Sequence, residues 1–203
     1  AIVMAEHGFD IAGFDVDQHR VARLNAGDPV IQEPEIFEKL QAARSAGNFK
    51  AYDQLQAADC FIIAVPTPFK GNKEADLSYV MNATERIASV LCAGNTVILE
   101  STVPVGTTMQ IAAVLEAKTG LSAGEDFYVA HCPERVLPGK IFQELVENAR
   151  IIGGINRISV DKAKEFYKPF VKGMLYLTDA ATAEMVKLVE NSSRDVQIAF
   201  ANQ

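Results

Sequence analysis

The 203 residues carry 26 acidic against 19 basic side chains, a formal net charge of −7, with 49% hydrophobic content. That content is ample for a packed core of one large domain or a domain plus part of another. The acidic balance, with no cluster of Lys or Arg, excludes a nucleic-acid surface, and no apolar run approaches the roughly 18–20 residues of a membrane span. The opening AIVMA lacks the basic flank and cleavage site of a secretory signal, so a cytoplasmic protein is expected. Three cysteines, Cys60, Cys92 and Cys132, form neither a CxxC knuckle nor a disulfide framework. No metal site is expected from them, and most should be core thiols.

Short β-rich runs alternate with helical stretches, a pattern that predicts an α/β protein with a doubly wound parallel sheet. In chain order, AIVMAEHG reads as the rear of a helix closed by Gly8, followed by a strand at Asp10–Asp15 and helices at Asp17–Ala26 and Pro34–Ser45. A weak strand at Phe49–Tyr52 precedes a strong one at Cys60–Val65, then a helix at Leu77–Cys92 and a strand at Thr96–Ser101. The runs FIIAV and TVILE are nearly continuously apolar, as in strands covered on both faces. A helix at Gly106–Thr119, strands at Phe127–Cys132 and Arg150–Gly153, a helix at Ser159–Val171, a strand at Met174–Thr178 and a long helix from Ala180 complete the pattern.

The run DIAGFDVD ends in Asp15, as the second strand of a dinucleotide-binding fold ends where it meets a ribose. The glycine loop of such a fold stands about 20 residues before that acid, which falls before Ala1. The sheet is therefore expected to lack its first strand and glycine loop, with the chain a fragment. The other reading of FDVD is an ordinary strand end whose Asp15 and Asp17 cap the next helix.

Four further stretches carry chemistry. ESTVPVGTT (Glu100–Thr108) runs from a buried strand into a turn and a helix, the position where open α/β sheets bind ligands. Thr102 could offer a hydroxyl there and Ser101 a backbone amide, or Thr107 and Thr108 could merely cap the helix. AVPTP (Ala64–Pro68) repeats the arrangement with two prolines holding an extended edge. HCPERVLPGK (His131–Lys140) gathers a histidine, a thiol, a carboxylate and a guanidinium. His131 and Cys132 point to opposite faces as strand neighbours and so form no dyad; Glu134 and Arg135 also read as an ordinary exposed ion pair. In AEMVKLVENSSRD, Glu184, Lys187 and Asn191 share one helical face, with Met185, Leu188 and Val189 expected on the packed side. A lysine beside an asparagine can hold a sugar oxyanion or an ordered water, and the same spacing also suits a solvated Glu–Lys face.

FDVD, AVPTP, ESTVPVGTT, CPERVLPGK and AEMVKLVEN together resemble the UDP-glucose/GDP-mannose dehydrogenase family, NAD-dependent four-electron oxidoreductases, in order and spacing over essentially the whole chain. HCPERVLPGK and ENSSRDVQIAFAN look most like the branch acting on UDP-N-acetylmannosamine. The resemblance implies NAD as cofactor, with Asp15 on the adenosine ribose, Arg20 near the adenine, and Pro66, Thr67 and Thr102 on the nicotinamide side. Thr102 would also orient a catalytic water. Glu134 would serve the water or aldehyde chemistry, Lys187 and Asn191 would stabilise the oxyanion at sugar C6, and Arg135 with the VLPGK loop would approach the substrate.

In this family a C6 alcohol is oxidised to a uronate in two hydride transfers, through a cysteine thioester. The resemblance implies that this cysteine would lie in a GGHC-type segment beyond residue 203, with Cys132 no substitute for it. The resemblance further implies an NAD-binding domain over 1–179 and, over 180–203, the start of a central helix region pairing two subunits as a homodimer. The product would serve surface polysaccharide synthesis. The alternatives are UDP-N-acetylglucosamine or UDP-glucose as substrate, a two-electron 6-phosphogluconate-like dehydrogenase sharing the Rossmann half and the Lys–Asn pair, and a non-catalytic truncated subunit.

Overall fold

AIVMAEHG forms the helix its pattern predicts. The structure, a computed structural model, describes residues 1–71, 73–137 and 139–203. Its first element, α1 (Ile2–Glu6), closes at Gly8, where the Phe9 N–H returns to the Met4 carbonyl and the Gly8 N–H to that of Ala5. Gly8 takes φ 85°, which glycine adopts without a Cβ clash. Then come β1 (Ile11–Phe14), α2 (Gln18–Ala26), α3 (Ile36–Ser45) and β2 (Phe49–Tyr52). The two strands pair in parallel, Ile11 opposite Phe49 through Phe14 opposite Tyr52. Ala5, Leu40, Ala43, Phe49 and Ala51 form the core beside them, with Ile11, Val21 and Leu24 packed around it.

The following strands are β3 (Cys60–Ile63), β4 (Thr96–Leu99), β5 (Tyr128–His131), β6 (Arg150–Gly154) and β7 (Leu175–Asp179), interleaved with α4 (Ser78–Ala88), α5 (Thr107–Thr119), α6 (Ile141–Glu147) and α7 (Arg157–Tyr167). The chain ends in α8 (Ala180–Ala201). One sheet runs in the order β3-β4-β5-β6-β7. Val97, Ile98 and Leu99 of β4 are all 0% exposed, as a strand covered on both faces must be. On this sheet α4 packs against β3, α5 against β5, and α8 against β5, β6 and β7. Among the described residues no helix is long and apolar enough to cross a membrane.

The chain divides into two compact units: 1–58 with 135–149 and 167–174, and 59–134 with 150–166 and 175–203. The first holds the β1-β2 pair and the second the five-stranded sheet. Two features differ from the sequence expectation. β5 and β6 pair antiparallel, Ala130 opposite Gly154 and His131 opposite Gly153, within a sheet otherwise parallel. A parallel neighbour needs a crossover packed on its own sheet, and the β5–β6 connection instead gives residues 135–149 to the other unit. That connection also contains α6, whose short apolar stretch has too few turns to register as a periodic pattern. Its start is held from a distance: the Glu33 carboxylate accepts the N–H groups of Gly139 (3.0 Å) and Ile141 (2.9 Å).

Gly153 lets α8 reach the sheet. A Cβ there would stand 2.3 Å from the Asp179 carbonyl oxygen and 2.6 Å from the Ala183 Cβ. Neither neighbour can rotate aside. Gly153→Ala is therefore expected to destabilise the fold by about 1–3 kcal/mol, the usual cost of overpacking, read as a lower urea midpoint with an unchanged slope. A midpoint equal to that of the parent chain would show that α8 lifts freely from β6.

Candidate functional site

In the first unit, β1 delivers Asp15 to its carboxyl end. Asp17, two residues on, caps α2 by accepting the N–H groups of His19 (2.9 Å) and Arg20 (3.3 Å). Of the two acids of FDVD, Asp17 is thus the one that caps the helix. Asp15 is not the cap: its Oδ1 accepts the Asp17 N–H and its Oδ2 takes the Arg20 guanidinium, both at 2.9 Å. Arg135 belongs to the same unit, half-buried, its Nη1 3.4 Å from the Ala149 carbonyl and its own carbonyl accepting from Asn148. Of the VLPGK loop, Leu137 donates its N–H to Glu144 and Gly139 to Glu33. Pro138 lies outside the described residues.

In the second unit the carboxyl ends of β3 and β4 are stitched together. The Ser101 hydroxyl accepts the Val65 N–H (2.9 Å) and donates to the Val65 carbonyl (2.8 Å), while the Thr67 hydroxyl donates to the Thr102 carbonyl (2.7 Å). Ser101's own amide was expected to face a ligand and does not, because it continues the ladder to the Ile63 carbonyl. Pro66 is exposed, and Thr67 and Thr102 half-buried, so the two strand ends present one rigid edge. Beneath it Glu100 reaches the buried Arg150 at 3.8 Å.

Lys187 and Glu134, far apart in sequence, meet: the Lys187 Nζ donates to the Glu134 carbonyl at 2.5 Å. The Glu134 Oε1 is buried and finds no hydrogen-bond partner among the described residues. A carboxylate oxygen in that condition is costly unless something binds it. Asn191 stands exposed one turn beyond Lys187 on the same helix. Lys187 is also within electrostatic reach of His131, which is 0% exposed at the end of β5. Burial above all, and the Lys187 cation in addition, lower the His131 pKa to about 4, the Leu99 backbone offsetting a part.

α8 presents a different face to the core from the one its periodicity predicts. Met185 (49% exposed) and Val189 (57%) stand outward, whereas Glu184 is 1% exposed. Glu184 does not pair with Lys187: its Oε1 accepts the Thr108 N–H (2.7 Å) and hydroxyl (2.5 Å), and its Oε2 accepts the Gly106 N–H (2.6 Å). Polar groups turn inward here because their partners are inside, and periodicity counts polarity without seeing partners. The Thr107 hydroxyl goes to the Pro104 carbonyl, so the cap of α5 is Glu184. Its signal in the sequence is an acid on the helix face that also carries the lysine and the asparagine, a spacing that suits a solvated Glu–Lys face as well. Of the cysteines, Cys132 is fully buried, Cys60 half-buried with its thiol pushed up to about 12 by burial, and Cys92 exposed rather than in the core.

Residues 1–171 match the family model described as UDP-glucose/GDP-mannose dehydrogenase family, NAD binding domain. The chain belongs to this family. It is 48% identical, over its whole length, to the UDP-N-acetyl-D-mannosamine dehydrogenase of Pyrococcus horikoshii, covering 49% of that protein. It is 49% identical to an NDP-N-acetyl-D-galactosaminuronic acid dehydrogenase of Ralstonia nicotianae, covering 50% of it. The solved structure of the Pyrococcus horikoshii UDP-D-ManNAc dehydrogenase superposes with a TM-score of 0.97 at 48% identity, over 100% of this chain and 49% of that one. The chain thus spans about half the length of the curated relatives it matches. As a member of this dehydrogenase family the chain carries its NAD-binding fold, and NAD is the cofactor. The residues fit it in part: a carboxylate at the end of β1 suits ribose hydroxyls, and the β3 and β4 ends offer an edge for a flat ring. No GxGxxG cradle for the pyrophosphate occurs within the 203 residues.

Proposed function

We propose that this domain serves the NAD-dependent four-electron oxidation of the C6 alcohol of a UDP-N-acetylhexosamine, UDP-N-acetylmannosamine before its epimers, to the uronate. The reading is supported most by the Lys187 ammonium lying on the backbone carbonyl of Glu134, the residue whose buried carboxyl oxygen finds no hydrogen-bond partner among the described residues. Relatives named UDP-N-acetyl-D-mannosamine dehydrogenase at 48% and 47% identity support the manno substrate.

In this proposal NAD supplies the hydride acceptor. Asp15 binds the adenosine ribose, where an acid favours free hydroxyls over a phosphate, and Arg20 lies near the adenine. Pro66, Thr67 and Thr102 bound the nicotinamide side, with the Thr102 hydroxyl orienting water. Glu134 holds or moves the proton of that water, and Arg135 with the VLPGK loop approaches the nucleotide sugar. Lys187 and Asn191 stabilise negative charge on the C6 oxygen, since a fixed ammonium and an amide donor aimed at a developing oxyanion cost no reorganisation in the reaction. Cys132 is not the nucleophile of the second oxidation, being fully buried.

The proposal includes a division at about residue 179, with 180–203 as the start of a subunit-pairing region. Homodimerisation through α8 is supported by its exposed Val196, Ile198 and Phe200. It also includes a cytoplasmic enzyme whose uronate feeds polysaccharide assembly.

The deciding experiment is the stoichiometry of NADH formed by the native gene product from each UDP-sugar. Two NADH per UDP-N-acetylmannosamine, with slower turnover of the gluco epimer, is the expected result. One NADH per substrate, or use of a non-nucleotide sugar acid alone, would overturn it in favour of a two-electron dehydrogenase.

A further inference from the structure

A buried carboxylate needs an account wherever it occurs, since desolvation costs several kcal/mol unless donors replace the lost water. Glu184 has three: the Gly106 N–H, the Thr108 N–H and the Thr108 hydroxyl, at 2.6, 2.7 and 2.5 Å. They converge at the N-terminus of α5, where unpaired N–H groups and the positive end of the helix dipole favour an anion. The partners lie 76 and 78 positions away in sequence, so the carboxylate ties α8 to α5.

The tie sits one turn before Lys187 on α8 and four residues after Thr102 on the strand-end loop. We propose that Glu184 is a positioning residue for Lys187 and Asn191. It sets the rotation and height of α8, so that the ammonium is presented at the Glu134 carbonyl. Apolar packing of Ala180 and Ala183 presses α8 onto the sheet but leaves its rotation soft. Three directional bonds to two oxygens do not. Glu184 takes no part in the chemistry itself, because both oxygens are occupied by these donors. The inference rests on the oxidation proposed above.

The test combines turnover by the native gene product with spectroscopy on the 203-residue chain. Glu184→Gln puts an amide N–H against the donors of α5. It is expected to lower kcat about 10- to 100-fold, the scale of a catalytic group displaced by about 1 Å, with KM for NAD within about twofold because Asp15 and Arg20 are not on α8. Thr108→Val, which deletes the hydroxyl donor, should lower kcat less, and Thr108→Ser, which keeps it, should restore the parent value. In the chain, Glu184→Gln should speed Gly106 amide exchange and shift the Lys187 ammonium resonance, while the resonances of β1 and β2 stay in place. A role confined to folding predicts a lower urea midpoint with kcat unchanged in the folded fraction and no difference between serine and valine at 108. That result, or an unmoved Lys187 resonance, overturns the inference. If the parent enzyme oxidises no UDP-sugar, the functional reading fails on its own, and the Lys187 resonance still decides whether Glu184 positions it.

Discussion

Lys187→Met is expected to lower kcat of the native gene product about 100- to 1000-fold, the effect of removing one preorganised oxyanion donor, while KM for NAD changes little. Methionine keeps the apolar stem that lies along α8 and deletes the ammonium, so packing is retained and charge is lost. On the proposed oxidation the loss would belong to the transition state, because only there would the C6 oxygen carry a charge for the ammonium to stabilise. The same substitution also removes a cation that lowers the His131 pKa, so His131 should titrate higher in the variant. A kcat within about threefold of the parent value would make Lys187 a tether for the Glu134 backbone and nothing more.

The second large effect concerns His131 and acid. Its folded pKa lies near 4, below the ordinary 6.5, so the unfolded chain binds the proton more readily. The stabilisation is therefore complete above about pH 6.5, falls as pH drops from there toward about 4, and is exhausted below. Linkage at about 1.4 kcal/mol per pH unit makes the loss on the order of 3 kcal/mol. The Lys187 ammonium of α8 opposes protonation as burial does, and the Leu99 backbone of β4 offsets a part. Carboxylates also titrate toward the lower end of this range, so the measurement is a comparison. Urea unfolding of the parent chain and of His131→Leu should diverge steadily between about pH 6.5 and 4.5, the parent losing stability faster. Parallel curves would mean that the imidazole reaches water in the folded state.

Lys187 and His131 belong to one small region. The end of β5 carries His131, Cys132 and Glu134, and α8 brings Lys187 onto it. Both sides are anchored by groups outside the chemistry: Gly153 lets α8 approach, Asp179 caps its first turn through the Thr182 N–H at 2.8 Å, and Glu184 fastens its second to α5. The Asp179 carboxyl is held below the usual carboxylate range by the Thr182 side chain and amide.

What could be read from the amino-acid order was whatever depends on near neighbours. Strand runs such as TVIL, the Gly8 helix stop and the helix pattern from Ala180 are local in cause: side-chain period, a left-handed glycine, a capping acid. The strand-to-turn-to-helix passages AVPTP and ESTVPVGTT were legible for the same reason, since strand, turn and helix follow one another in the chain. Tertiary structure decided what depends on partners distant in sequence. The antiparallel turn of β6 follows from a connection whose residues pack in the other unit. α6 is too short to announce itself, and its N-terminus is held by Glu33, more than 100 residues away. The inward face of α8 could not be judged by polarity, because a buried Glu184 is stable only where three donors of α5 meet it, and Lys187 turns inward only where a carbonyl of the β5 end awaits it. Sequence records which groups are polar, and folding alone decides which of them find a partner.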